Sequence, residues 1–231
     1  MDHHVALAAG SMWWYVGWII LALYMAITIT IGRRLSPGQR VRFEKGWGIF
    51  ILGSYVVIQF LLVYHDAYTL KNSLPLHLCS FSRILSFILL TLRKKWAFYP
   101  LFFWGLMGGL HALLTPESTF GDGTFYLLEY FLGHAGIMVV PVYMLFVHDY
   151  KIKKYGWFSA WVLLNSLLPL IFLISVWTEG NYMFLRERPL VNNPFIIGEW
   201  PWYLIGFETI GLLHFLLFTL LFYNKMEKTH R

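Results

Sequence analysis

Seven apolar stretches alternate with short polar connections along the 231 residues, and this pattern constrains the fold more than any other feature. A helix of about 20 apolar residues crosses the hydrocarbon core of a bilayer. The stretches cover residues 13–31, 47–65, 75–92, 96–114, 125–147, 157–177 and 201–223. The sequence therefore predicts an all-α polytopic membrane bundle with seven transmembrane helices, forming one domain over residues 1–231.

The composition and the connections both argue against a water-soluble domain. Hydrophobic residues make up 58% of the chain and charged residues 13%, with a mean hydropathy of +0.58. The longest connections, residues 33–46 and 178–200, are too short to hold a core of their own. We expect the second of them to fold back over the end of the bundle. The single cysteine excludes an intramolecular disulfide.

Basic residues are concentrated in alternate connections, after the first, third, fifth and seventh stretches. The exceptions are Lys71, Arg83, Arg186 and Arg188. By the positive-inside rule, the basic connections and the C-terminus face the cytoplasm and the N-terminus faces outward. The net charge of +6 thus reflects topology, and we expect no nucleic-acid partner.

Polar residues within the apolar stretches fall at nearly one depth when each helix is projected at about 1.5 Å per residue. Those in the outer half are Gln59, His65, Asp66, His77, Cys79, Arg83, His111, Glu129, His134 and Glu208. Charged and titratable groups are costly at bilayer depth unless they face a protein interior or a cavity. We therefore predict one polar cavity that opens outward and contains a functional site.

Cys79 and Arg83 are the most informative pair in this set, because they lie one helical turn apart on one face. Cys79 also follows Pro75 in the first turn of its helix, where the positive helix end favours a thiolate. Arg83 is consistent with two roles. It can bind an anionic head group, or it can form a structural ion pair with Glu129 or Glu208.

A general base for Cys79 is expected from another helix. His77 lies two residues before Cys79 and therefore points to a different side of the helix. His134 has small neighbours in the Gly-His-Ala-Gly sequence at 133–136, which leave room around its imidazole, and we place it ahead of His111.

Several motifs resemble one bacterial family of integral membrane proteins. They are Leu-Pro-Leu-His-Leu-Cys at 74–79, Glu-Tyr at 129–130 followed by Gly-His-Ala-Gly-Ile at 133–137, and Asn-Tyr-Met-Phe-Leu at 181–185 followed by Trp-Pro-Trp-Tyr at 200–203. Over about residues 45–223 the chain resembles the YwaF-like family, which is grouped with the eukaryotic transmembrane protein 164. The eukaryotic members are described as acyltransferases that acylate lysophospholipids with a cysteine nucleophile.

The resemblance implies a nucleophilic role for Cys79, with His134 as the simplest base and His111 as the second choice. We expect an acyl chain to pass between phospholipid and lysophospholipid through a thioester, without a cofactor or a metal ion. The lipid would be held by His77, Arg83, Glu129 and Glu208. The resemblance also implies a multi-pass protein of the bacterial plasma membrane.

Two other functions are consistent with the same residues. A zinc-dependent lipid hydrolase would use His77, His111 and His134 with Asp66 or Glu129, although no motif fixes their spacing. A transporter or binding protein would recognise a small solute in the polar cavity. The sequence contains no convincing internal repeat, which counts against the transporter.

Overall fold

The computed structural model describes residues 5–118, 121–189 and 198–225, which form an all-α bundle apart from one short ribbon. The helices are α1 (Met12–Arg34), α2 (Pro37–Tyr64), α3 (Leu78–Thr91), α4 (Lys95–Leu114), α5 (Thr124–Val147), α6 (Gly156–Trp177) and α7 (Tyr203–Leu221). The ribbon pairs β1 (Val5–Ala6) with β2 (Glu117–Ser118) in antiparallel register.

In the described residues, six helices are long and apolar enough to cross a membrane, which confirms a polytopic helical bundle. The exception is α3, which has 14 residues. At 1.5 Å per residue it spans about 21 Å, less than the roughly 30 Å of a hydrocarbon core. The seventh crossing and the orientation of the bundle therefore stay predictions.

The predicted connection at 33–46 is wrong for most of its length, because α2 begins at Pro37. Only Leu35 and Ser36 separate α1 from α2. Proline is well suited to the first helical position, since it has no N–H to satisfy. The Gln39 Oε1 atom accepts a hydrogen bond from the Ser36 N–H at 3.1 Å, as in a capping box.

The first half of α4 is irregular. It contains a 3₁₀ turn (Lys95–Ala97), a turn of α-helix (Phe98–Pro100) and a π-helical segment (Leu101–Gly105), and it becomes regular over Leu106–Leu114. A Cβ atom at Gly105 would lie 2.5 Å from the carbonyl oxygen of Ile137. Glycine at this position thus lets α4 approach the backbone of α5 closely.

The core is built around α5, whose residues 133–145 are all buried. Helix α1 packs along it, and a Cβ at Gly17 would lie 2.5 Å from the Phe131 ring. Gly32 makes an equally close approach to the Tyr143 ring. Lipid tails are as apolar as leucine, so membrane helices associate through close packing at small residues of this kind.

The basic connections meet at one end of the bundle, which we call the basic end. The Ile152 N–H donates to the Lys225 carbonyl at 2.9 Å, which joins the residues after α5 to those after α7. Asp149 accepts from Lys151 Nζ at 2.8 Å and from Lys225 Nζ at 3.3 Å. These two ammonium groups hold the pKa of the exposed Asp149 carboxyl below its usual value.

Glu44 ties further elements together at the basic end, and its side chain is fully buried. Its carboxylate contacts Arg93 Nη2 and His148 Nε2, both at 2.5 Å, and accepts from the Tyr143 hydroxyl at 2.7 Å. These residues belong to α2, to the turn after α3, to the end of α5 and to the residue after it. The sequence predicted that the basic connections lie together at one end of the bundle, and the packing agrees with this, whichever side of the membrane that end faces.

Candidate functional site

Arg83 is buried and forms an ion pair with the partly buried Glu129, which joins α3 to α5. Both guanidinium ends contact the carboxylate, Nη1 with Oε1 and Nη2 with Oε2, the latter at 3.3 Å. Ser54 of α2 donates to Glu129 Oε1 at 3.1 Å, and the Arg83 guanidinium lies 5.5 Å from the centre of the Tyr55 ring. Of the two ion-pair partners suggested by the sequence, the structure therefore selects Glu129.

Gly133 makes room for the Arg83 guanidinium. A Cβ atom at Gly133 would overlap with Arg83 Nη2 and Cζ, so any larger residue there would displace the charged group. The following residue is His134. Close packing on this glycine thus brings the arginine of α3 next to the candidate base of α5.

The Gly108–Gly109 step of α4 lies between α3 and α5. A Cβ at Gly108 would lie 3.2 Å from Cys79 Sγ, and a Cβ at Gly109 would lie 2.9 Å from the His134 carbonyl oxygen. The glycine pair thus allows both neighbouring helices to approach closely. Cys79 Sγ of α3 and the His134 backbone of α5 thus lie against consecutive residues of α4. Cys79 is partly buried.

His134 is held in one tautomer by its hydrogen bond. Its Nδ1 atom lies 2.6 Å from the Tyr130 carbonyl oxygen, and its ring packs on the Tyr130 ring with centroids 4.2 Å apart. A carbonyl oxygen only accepts, so Nδ1 carries the proton in the neutral imidazole. The lone pair is then on Nε2, as a general base requires. Only 9% of the residue's surface is exposed.

His77 is the residue immediately before α3, and it faces the connection after α6. Its Nδ1 accepts from the Met183 N–H at 3.4 Å, and its ring packs edge-on against Tyr182. The described part of the 178–200 connection therefore folds onto the start of α3, as predicted. The rest of this prediction, over residues 190–197, lies outside the described residues.

His111 and Glu208 contact other elements. The His111 ring lies 4.9 Å from the ring of His214 on α7. Glu208 Oε2 accepts from Trp161 Nε1 at 3.1 Å and from Asn165 Nδ2 at 3.2 Å, both on α6. Glu208 is thus hydrogen-bonded to α6 and is not the ion-pair partner of Arg83.

The histidines do not form the zinc site that the sequence left open. Within residues 5–118, 121–189 and 198–225, no group of three or more His, Cys, Asp or Glu side chains is close enough to hold a metal ion. His77, His111 and His134 face different partners, as described above. Asp66 is exposed at the end of α2. The arrangement therefore does not fit a three-histidine centre.

Sequence reasoning missed several of the residues that shape this site. Ser54 and Tyr55 are the contacts of α2 with the ion pair, yet each is an ordinary residue of an apolar stretch. The sequence indicates that Gly133 leaves space around His134. It does not indicate that the Arg83 guanidinium packs on Gly133. The Gly108–Gly109 step of α4 is a sequence signal of close helix packing.

The chain matches the family model described as the TMEM164 family over residues 4–219, and it therefore belongs to that family. This confirms the resemblance inferred from the motifs. No curated protein and no solved structure matches the chain. The family and the apolar helices together identify a multi-pass membrane protein.

Proposed function

We propose that this member of the TMEM164 family is a membrane-embedded acyltransferase that moves an acyl chain between a phospholipid and a lysophospholipid. The chain would be carried as a thioester on Cys79. The observation that best supports the proposal is that Cys79 Sγ and the backbone of His134 approach consecutive residues of α4, Gly108 and Gly109. A partly buried thiol and an imidazole whose lone pair is on Nε2 are suited to nucleophilic catalysis.

In the first half-reaction, His134 Nε2 takes the thiol proton and Cys79 Sγ attacks the ester carbonyl carbon of the donor. The carbon–oxygen bond to the glycerol breaks, the imidazolium returns its proton to the leaving oxygen, and a lysophospholipid departs. In the second half-reaction, a hydroxyl of the acceptor lysophospholipid attacks the thioester, and its proton passes through His134 to the sulfur. The reaction would follow ping-pong kinetics.

Arg83 has a positioning role in this mechanism. Its guanidinium is neutralised by Glu129, and it lies one helical turn from Cys79. Pairing with Glu129 and packing on Gly133 fix the position of the guanidinium, and this holds α3, which carries Cys79, against α5. His77 and Glu208 would contact the lipid at the rim of the site.

The surroundings of Cys79 favour transfer over hydrolysis. The bundle lies in hydrocarbon, and the segment around Met183 packs onto His77 at the start of α3. Limited access of water prolongs the life of a thioester intermediate. By the positive-inside rule, the end of the bundle that carries Cys79 would face the outer leaflet of a bacterial plasma membrane.

The thioester can be trapped because Cys79 is the only cysteine of the chain. Purified protein in nanodiscs would be mixed with a phospholipid carrying a labelled acyl chain, with or without lysophospholipid. We expect intact-mass analysis to show one added acyl group, removable by hydroxylamine, and we expect lysophospholipid to discharge it as labelled phospholipid.

The control is Cys79→Ala, which should bind lipid normally but form neither adduct nor product. Undiminished acyl transfer by Cys79→Ala would refute the proposed nucleophile. Discharge to free fatty acid in the presence of lysophospholipid would indicate a lipase instead.

A further inference from the structure

A groove of about 720 Å³ lies between α1 and α2. It arises because α1 packs on α5 whereas α2 packs mainly on α3, so the two helices diverge. Apolar side chains line it, including Ile20, Leu23 and Ile27 of α1, Phe50 of α2 and Leu132 of α5. The volume lies within the range of ligand-binding clefts in proteins.

The two hydroxyl groups that line the groove are already hydrogen-bonded within the protein. The Tyr24 hydroxyl accepts from Trp47 Nε1 at 2.5 Å, and the Thr28 hydroxyl donates to the Tyr24 carbonyl at 2.7 Å. Apart from Arg42, the lining therefore offers an occupant apolar side chains. Such a surface is suited to an acyl chain.

Arg42 lies in the lining of this groove towards the basic end, and it supplies a positive charge there. Arg42 is exposed, and it forms no ion pair with any of the described residues. Arg40, two residues earlier, differs: its Nε donates to the Gly32 carbonyl at 2.8 Å and its Nη2 to the Leu35 carbonyl at 3.2 Å. Arg40 thus caps α1, whereas the guanidinium of Arg42 can bind a ligand.

We propose that this groove binds a membrane phospholipid with a net negative head group. One acyl chain lies along Leu23 and Ile27, and the Arg42 guanidinium binds the phosphate through two parallel N–H···O bonds. Basic pockets between membrane helices bind anionic head groups through the same charge complementarity. Cys79, Arg83 and His134 are not among the residues that line the groove. The proposed lipid site is therefore distinct from the site of the proposed acyl transfer.

The test compares two lipids with identical acyl chains, phosphatidylglycerol and the zwitterionic phosphatidylcholine. Delipidated protein in a neutral detergent would be titrated with each lipid and followed by native mass spectrometry and by thermal unfolding. We expect phosphatidylglycerol to bind more tightly and to raise the unfolding temperature more. One guanidinium at the membrane surface contributes about 1 kcal/mol, so Arg42→Gln should reduce this preference about fivefold.

Two further variants make the result specific. Arg34→Gln removes an exposed arginine at the end of α1 that does not line the groove, and it should leave the preference unchanged. Leu23→Trp fills the groove at an exposed position and should weaken binding of both lipids. Equal affinities for the two lipids, equal effects of Arg42→Gln and Arg34→Gln, or unaltered binding by Leu23→Trp would each overturn the proposal.

Discussion

Arg83 and Glu129 make a two-point contact that joins α3 to α5 one turn below the candidate nucleophile. Removing two charges from water is costly, and this cost is recovered only when the partners are well aligned and further hydrogen-bonded. Here Ser54 supplies an additional hydrogen bond to the carboxylate, and Gly133 leaves space for the guanidinium. The pair therefore couples the stability of the bundle to the geometry around Cys79.

Glu129→Gln should destabilise the protein strongly, because it leaves the Arg83 charge buried without a counter-ion. Loss of one partner from a buried pair typically costs about 3–5 kcal/mol. Thermal unfolding in detergent would measure the effect. The matched control is Glu208→Gln, whose partners Trp161 and Asn165 are neutral donors. Similar losses from both variants would show that the charge of Arg83 is not the cause.

Gly133→Ala should lower both stability and activity, because the new methyl group would displace the guanidinium from its site. Overpacking of this kind costs about 1–3 kcal/mol. Gly136→Ala on the same helix is the control, since its Cβ would lie 3.4 Å from the Ile51 side chain. There the better helix propensity of alanine should leave stability unchanged or slightly raised. Equal unfolding temperatures for the two variants would contradict the prediction.

Gly108→Ala tests whether Cys79 needs the close approach of α4. The added Cβ would lie 3.2 Å from Sγ, so the thiol should shift and react more slowly. The rate of Cys79 alkylation by a lipid-soluble maleimide would report this shift directly, since the chain has no other thiol. Gly211→Ala, with 3.6 Å to Met107 Sδ, provides the control. An unchanged alkylation rate would show that Gly108 does not control the position of the thiol.

His134→Gln should reduce acyl transfer by about 10²–10⁴-fold while leaving lipid binding intact, because it removes the proposed base. His111→Gln should have a smaller effect, since the His111 ring packs against His214. Single-turnover measurement of thioester formation separates the chemical step from binding. If His111→Gln proved the more damaging, the two roles would have to be exchanged.

Glu44→Ala should loosen the basic end without altering the chemistry at Cys79. The substitution leaves the buried Tyr143 hydroxyl and the His148 imidazole without their acceptor. A stability loss of about 1–3 kcal/mol is expected for groups left unsatisfied in this way. Thermal unfolding would show it, whereas the rate of Cys79 alkylation below the transition should stay the same. A change in that rate would reveal coupling between the two ends.

Much of the architecture was predictable because hydropathy is a property of each residue in turn. The apolar stretches located the helices, and the basic connections showed which ends of the helices lie together. The one-turn spacing of Cys79 and Arg83 follows from helical geometry alone. The predicted connection between α1 and α2 is too long, because Ser36 and Pro37 form the capped start of α2 and not part of a loop.

Contacts between helices required the tertiary structure. The sequence offered Glu129 and Glu208 equally as partners for Arg83, and only the packing of α3 against α5 decided between them. In the same packing, the His134 backbone lies against Gly109, and Glu208 is hydrogen-bonded to Asn165 of α6. Such choices depend on how each helix is rotated and how closely it approaches its neighbours. The sequence by itself thus determined which segments are helical and which of their ends lie together, whereas close packing at glycines decided which side chains meet.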